Sequence, residues 1–245
     1  MKKIIYLALA FAMTACVSPK GEEQTVVGGS IEITPATRSE VTDTVEGRTT
    51  IAVPAAEDLA VEITGNNQTY TWATLADYLA ESARGIWFYS SAHTVKLTYG
   101  VLSEEGYSKP YFEGSTTVEV PGYKLSVEAQ VEVALANSIV NIDTTAQFDG
   151  YFQQSTPKFA VKGIEWNEES EEMLFVTPGK ATITCDVVKP SGNAQTLTVE
   201  VTLNPSTRHT VVFDLDTAGS AEFVVLFDNQ IVEIVESEFE MNDNA

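Results

Sequence analysis

The stretch 125–135 constrains the fold most. Leu125, Val127, Ala129, Val131, Val133 and Leu135 alternate with Ser126, Glu128, Gln130 and Glu132. Successive side chains of an extended backbone point to opposite faces, so this pattern describes a strand with one buried and one wet side. A helix would scatter the same residues around its circumference. The alternation returns at Val95, Leu97 and Tyr99, at Ile183, Cys185 and Val187, and at Leu197, Val199, Val201 and Leu203. Between such runs lie turn formers: Gly65-Asn66-Asn67, Pro121-Gly122, Pro178-Gly179, Pro190-Ser191-Gly192-Asn193 and Asp228-Asn229. The last two clusters are flanked by apolar runs, which predicts hairpins joining 182–188 to 197–203 and 223–227 to 230–235.

Helical spacing is scarce. Trp72, Leu75 and Leu79 share a face over 72–82. Phe148, Tyr151 and Phe152 do so after Asp143-Thr144-Thr145, whose side chains can cap a helix start. Many short strands with one or two short crossover helices predict an all-β protein built as two tandem antiparallel β-sandwiches. A boundary falls near 135–138, where Ala136-Asn137-Ser138 interrupts the strand pattern. The expected organisation is a signal peptide over 1–15, a tether over 16–50, sandwiches over 51–135 and 136–235, and an acidic tail over 236–245.

The N-terminus carries an address. Met1-Lys2-Lys3 is basic, Ile4 to Met13 is mostly apolar, and Thr14-Ala15-Cys16 follows. The apolar run is too short to span a bilayer as a mature helix and has the three-part plan of a secretory signal. Met13-Thr14-Ala15-Cys16 resembles the bacterial lipobox, which implies acylation of Cys16. Lys20-Gly21-Glu22-Glu23 resembles the export signal that brings lipoproteins to the cell surface. The expected location is the outer membrane, lipid-anchored and surface-exposed. With Cys16 acylated, Cys185 is left without an intramolecular disulfide partner, so burial must supply the stability.

Charge narrows the partners. Against 35 acidic side chains stand 14 basic ones, a formal net charge of −21. A chain so acidic repels nucleic acid and, taken as a whole, an anionic bilayer surface. The expected partners are the membrane, through the lipid, and a protein or glycan at the cell surface.

Several longer stretches carry a family resemblance. They are Thr69-Tyr70-Thr71-Trp72-Ala73-Thr74-Leu75-Ala76-Asp77-Tyr78, Thr94-Val95-Lys96-Leu97-Thr98-Tyr99-Gly100, and Glu105-Gly106-Tyr107-Ser108-Lys109-Pro110-Tyr111-Phe112-Glu113-Gly114-Ser115-Thr116. Val133-Ala134-Leu135-Ala136-Asn137 and Arg208-His209-Thr210-Val211-Val212-Phe213-Asp214-Leu215 complete the set. Over roughly 50–235 the chain resembles a family of bacterial lipoproteins related to the fimbrillins, the two-sandwich subunits of surface pili. The resemblance implies a surface location and no catalytic residues. In fimbrillins a lipidated leader is cut after an arginine, and a neighbour's strand fills the groove that opens. Carried to this chain, the resemblance makes Arg38 and Arg48 the candidate leader-cleavage positions and Ile31 and Ile33 part of the removable strand; both arginines also fit an ordinary tether.

Catalytic and metal motifs are thin. The two histidines, His93 and His209, each sit beside a strand, and Cys185 reads as an inward-facing core residue. Asp214-Leu215-Asp216-Thr217-Ala218-Gly219 begins like a calcium loop but lacks an oxygen ligand at Ala218 and the distal Glu. Glu165, Glu168, Glu169, Glu171 and Glu172 form a run of the kind that is usually solvated. No nucleophile elbow or phosphate loop is present. No enzyme, cofactor or metal is expected. Ile86-Trp87-Phe88-Tyr89 defeats the alternation, so some of Trp87, Phe88 and Tyr89 must either face outward as an aromatic contact or lie buried at a seam. The leading expectation is a non-catalytic cell-surface lipoprotein with a structural or adhesion role. The alternatives are a pilus subunit assembling by strand exchange after leader cleavage, and a carbohydrate-binding surface module.

Overall fold

A computed structural model describes residues 28–123, 125–152, 156–188, 192–216 and 222–232. The signal peptide, Cys16 and the tether up to residue 27, the 190–191 part of one turn, the 217–219 part of the calcium-like loop and the acidic tail lie outside the described residues.

The protein is mostly β, and its described residues form three sheets. The first has seven strands in the order β5 (Gln68–Trp72), β4 (Ala60–Gly65), β7 (Ala92–Tyr99), β9 (Phe112–Glu119), β10 (Ser126–Leu135), β1 (Gly28–Thr37) and β6 (Phe88–Tyr89). The second runs β19 (Gln230–Val232), β18 (Glu222–Phe227), β17 (Thr207–Asp216), β11 (Ser138–Thr144), β14 (Leu174–Val176) and β8 (Gly106–Tyr107). It also holds β2 (Glu40–Asp43), paired to β17, and β3 (Gly47–Thr50), paired to β2. The third has β13 (Ile164–Glu165), β12 (Lys158–Val161), β15 (Gly179–Val188) and β16 (Ala194–Leu203).

Two cores result. The strands of the first sheet bury Ile31, Val61, Ile63, Val95, Leu97, Phe112, Val131 and Val133 together with Leu75 and Tyr78 from helix α1 (Leu75–Ser82). The second core lies between the eight-stranded and four-stranded sheets, around Phe148 from helix α2 (Ala146–Tyr151) with Phe213, Phe223, Ile183 and Leu197. Cys185 is fully buried there, and burial pushes its thiol far up, so it behaves as a small apolar filler. The helices start where a threonine side chain can accept from a backbone N–H: Thr74 from Asp77, and Thr145 from Phe148. α1 therefore begins at Leu75, three residues later than the apolar spacing suggests.

One expectation is corrected. Residues 28–50 are not tether: they form β1, β2 and β3, because Ile31, Ile33 and Val41 find apolar cover in the first core. The sheets are mostly antiparallel, as expected, with three parallel pairs among the described strands. β1 runs parallel to β10, β11 parallel to β17, and β17 parallel to β2. The reason is a shared crossing. Besides the excursion from β7 to β8 and back, the chain passes from the first sheet to the second from β1 to β2 and from β10 to β11, in the same direction both times. The segment Asn204–Ser206 lies between the two crossings. Ser206 N–H donates to Asn137 O at 2.9 Å, Thr42 N–H donates to Ser206 O at 3.0 Å, and Ser138 Oγ donates to Asn204 O at 2.7 Å.

Candidate functional site

The strand β1 is the first candidate feature. It pairs in parallel with β10 from Ser30↔Ser126 to Thr37↔Val133, which places Ile31 opposite Val127 and Ile33 opposite Ala129. Ile31 is 1% exposed and Ile33 8%. The Tyr78 hydroxyl donates to Ile31 O, and burial pushes that phenol up to about 12, so the donor proton stays in place over the physiological range. The other edge of β1 is paired, among the described residues, only at Gly28↔Tyr89 and Gly29↔Phe88. β1 is thus buried on its apolar face and laddered along one side.

The two arginines fall differently around it. Arg38 is exposed and sits between β1 and β2, its N–H donating to Val133 O at 2.8 Å. Arg48 is inside β3, opposite Thr42, with its guanidinium 3.1 Å from Glu40. Both of those side chains are more than half exposed, so the ion pair adds little. A peptidase needs an extended, unladdered segment. The connection at Arg38 is closer to that state than the hairpin strand at Arg48.

The aromatic run 86–89 divides. Trp87 is 47% exposed and Tyr89 52%, whereas Phe88 is buried against Tyr70 and His93 in edge-on contacts. Phe88 is therefore withdrawn as an aromatic contact residue: its side chain completes the first core. Alternation survives locally because 88–89 is a two-residue strand capping β1.

His209 and Asp228 form an arrangement that mimics a catalytic dyad. His209 is fully buried, with Nδ1 2.7 Å from Asp228 Oδ2. Its Nε2, however, accepts from Asn204 N–H at 2.9 Å. That bond consumes the lone pair a general base would use, and it fixes the tautomer with the proton on Nδ1. The carboxylate also accepts from Thr210 N–H at 3.2 Å and from Thr44 Oγ1. The group is a structural latch tying the segment after β2 to β17 and the β18–β19 turn. His93 is likewise buried, its ring against Ser91 O at 3.0 Å.

The remaining acidic groups do not converge. Among the described residues, no three His, Cys, Asp or Glu side chains are grouped to hold a metal ion. Glu168, Glu169, Glu171 and Glu172 are exposed. Asp214 accepts from the Thr145 hydroxyl and from Leu215 N–H, which commits it to the start of α2.

A cleft of about 650 Å³ lies where the two halves meet, with Ile51, Tyr99, Val101, Pro110, Met173 and Phe175 on its walls. An anchor that sequence reading missed starts from the residue after Glu104, one of the residues lining this cleft. Glu105, in the loop before β8, accepts from Lys162 Nζ, Thr177 N–H at 2.8 Å and the Thr177 hydroxyl. Burial alone would raise that carboxyl, but the Lys162 and Thr177 hydrogen bonds with the Lys162 charge outweigh it and hold it below the usual range. Glu105 and Lys162 are 57 residues apart, so no local signal announces the pair.

Comparison with known proteins gives one family and a set of distant structural likenesses. A family model described as a domain of unknown function, DUF4493, matches residues 29–243. No curated protein matches the chain. Among solved structures, a proposed polysaccharide-binding protein (DUF1812) of Bacteroides thetaiotaomicron is 8% identical with a TM-score of 0.45, covering 85% of this chain and 98% of that one. A proposed adhesin of Bacteroides ovatus is 9% identical with a TM-score of 0.43, covering 86% and 96%. Another from Bacteroides thetaiotaomicron is 10% identical with a TM-score of 0.38, covering 86% and 100%. At these scores nothing about ligand or partner follows from the likeness.

Proposed function

The chain belongs to the DUF4493 family, and on that premise we propose that it is a lipid-anchored, non-catalytic protein of the outer-membrane surface with a structural or adhesion role. The observation that carries this reading is the position of β1. Only 12 positions separate Cys16, the cysteine of the lipobox-like sequence, from Gly28, a span of at most about 40 Å. β1 is then laddered to the interior strand β10 and packed into the first core. Load entering from an acylated Cys16 is delivered to a strand pulled along its own length against a row of hydrogen bonds. That is suitable construction for a tethered surface protein. The resemblance to fimbrillin-related lipoproteins supports the same reading. Treating intact cells with external protease tests it: the full-length protein should disappear, and mass spectrometry should find Cys16 as the acylated first residue. A protected band, or an unacylated mature chain, defeats it.

A second reading, a subunit that polymerises by strand exchange, is favoured by the single-sided ladder of β1 and the exposed Arg38 directly after it. Cleavage there would free Gly28–Thr37 and leave an apolar groove beside β10 for a neighbour's strand. N-terminal sequencing separates the two readings. A mature chain beginning at Ser39 or Thr49 supports exchange, and one beginning at acylated Cys16 excludes it.

A further inference from the structure

We propose that the end of the first sheet around Gly28 is a bilayer-contacting surface, with Trp87 and Tyr89 seated at the lipid headgroup level. This rests on the anchored reading above and adds an orientation to it. Four large apolar or aromatic side chains are exposed around the point where the described chain begins. Trp87 is 47% exposed, Tyr89 52%, Tyr123 70% and Leu125 58%.

Their clustering follows from the register. Tyr89 lies opposite Gly28 on one side of β1, and a Cβ on Gly28 would lie 3.9 Å from that of Trp87. On the other side, Ser30 N–H donates to Leu125 O at 3.0 Å, and Gly29 is pressed against the carbonyls of Leu125 and Pro121. The two edges that flank the tether exit are therefore the ones that display these side chains.

The chemistry selects the partner. Tryptophan and tyrosine, apolar bodies with a polar tip, concentrate at membrane–water interfaces. Charge agrees. The described residues of 83–91 and 120–126 include Arg84 and no acidic residue, in a chain carrying 35. Arg84 is exposed. The next acidic side chain along β1 is Glu32, four residues in from the exit. Acidic side chains begin at the border of this end, with Glu81 sharing a cleft with Arg84 and Glu32 accepting from Ser126 at 2.8 Å, so negative charge is thinned here relative to the bulk of the protein. An anchor at most about 40 Å from Gly28 keeps that end near the bilayer, so even weak interfacial contact suffices. A soluble glycan could also stack on Trp87. Nothing about glycan recognition, however, would require the aromatics to surround the tether exit.

The test uses the full acylated protein reconstituted into phosphatidylethanolamine–phosphatidylglycerol vesicles, with and without brominated acyl chains, which quench nearby indoles. With three tryptophans in the chain, bromination should remove up to about one third of the total emission if Trp87 alone sits at the interface. The loss should vanish in Trp87→Phe and persist in Trp166→Phe. Vesicle flotation is read in parallel. Protein that floats but shows no bromine-dependent loss overturns this proposal and leaves the anchor standing. Protein that fails to float removes the anchor itself. A Trp87 emission shift caused by added soluble polysaccharide, with no response to bromination, assigns the surface to a glycan and also overturns the proposal.

Discussion

The imidazole of His209 donates through Nδ1 to Asp228, 2.7 Å away, while its Nε2 accepts from the backbone of Asn204. One buried ring thus joins the β18–β19 turn to the segment that enters β17. Its neighbours are arranged for the same end: Phe227 stacks on the ring with centroids 5.1 Å apart, and Thr44 reaches Asp228 from the first part of the chain. His209→Phe keeps the bulk but leaves a buried N–H and a largely buried carboxylate without their partner. The expected loss is about 2–4 kcal/mol, seen as a lower urea midpoint at unchanged m value. Asp228→Asn retains an acceptor and should cost less. An unshifted midpoint in His209→Phe would show that the latch contributes nothing.

Acid should loosen the joint between the two halves before it unfolds either core. Glu105 is held below its ordinary 4.5 by its Lys162 and Thr177 partners, against the opposing effect of burial. A carboxyl depressed on folding gives stability that is fully present above its unfolded value and is lost as pH falls through the lower folded one. Wild type should therefore melt higher than Glu105→Gln at neutral pH. The two melting temperatures should converge as pH drops below the carboxylate range. Parallel curves at every pH would show that the charge is irrelevant.

Gly114→Ala should be among the costliest single-methyl additions in the protein. A Cβ at that position would lie 2.1 Å from Glu132 O and 3.0 Å from Val133 Cα, both on the facing strand. Backbone cannot yield as a flexible side chain does, so β9 must move off β10, to which it is paired at Glu113↔Ala134 and Phe112↔Leu135. Overpacking of this kind costs about 1–3 kcal/mol or more, measurable by thermal or urea unfolding. A variant with wild-type stability would mean that the two strands are not so close.

The β4–β5 turn offers a graded test. Asn66 and Asn67 have φ of 49° and 58°, left-handed at both central positions of a two-residue hairpin. Asn67→Gly suits that backbone and should leave stability equal or slightly higher. Asn67→Val places a branched side chain in the left-handed region and should cost about 1–2 kcal/mol. Equal stability for the two variants would argue against the turn geometry.

Much of the strand content was legible because the period-two signal is local. Val131 and Val133 declare their face from their own neighbours, and the Asp228-Asn229 turn declares its hairpin. The threonine caps of both helices were also within reach: Asp143-Thr144-Thr145 offers the cap of α2, and Thr74 stands just before Leu75. Phe88 was not separable from Trp87 and Tyr89 until β6 was seen to cap β1 and turn the phenyl ring inward.

By itself, the sequence determined an all-β chain with apolar strand faces, a lipobox-like Cys16 and a strongly acidic surface, since each depends only on residues close together along the backbone. Only the tertiary structure decided which strands meet. Ile31 lies against Val127, and Glu105 against Lys162, because burial of distant apolar faces chooses partners that alternation leaves equivalent. The same choice drew residues 28–50 out of the expected tether into the sheets, and so set where the rest of the molecule begins.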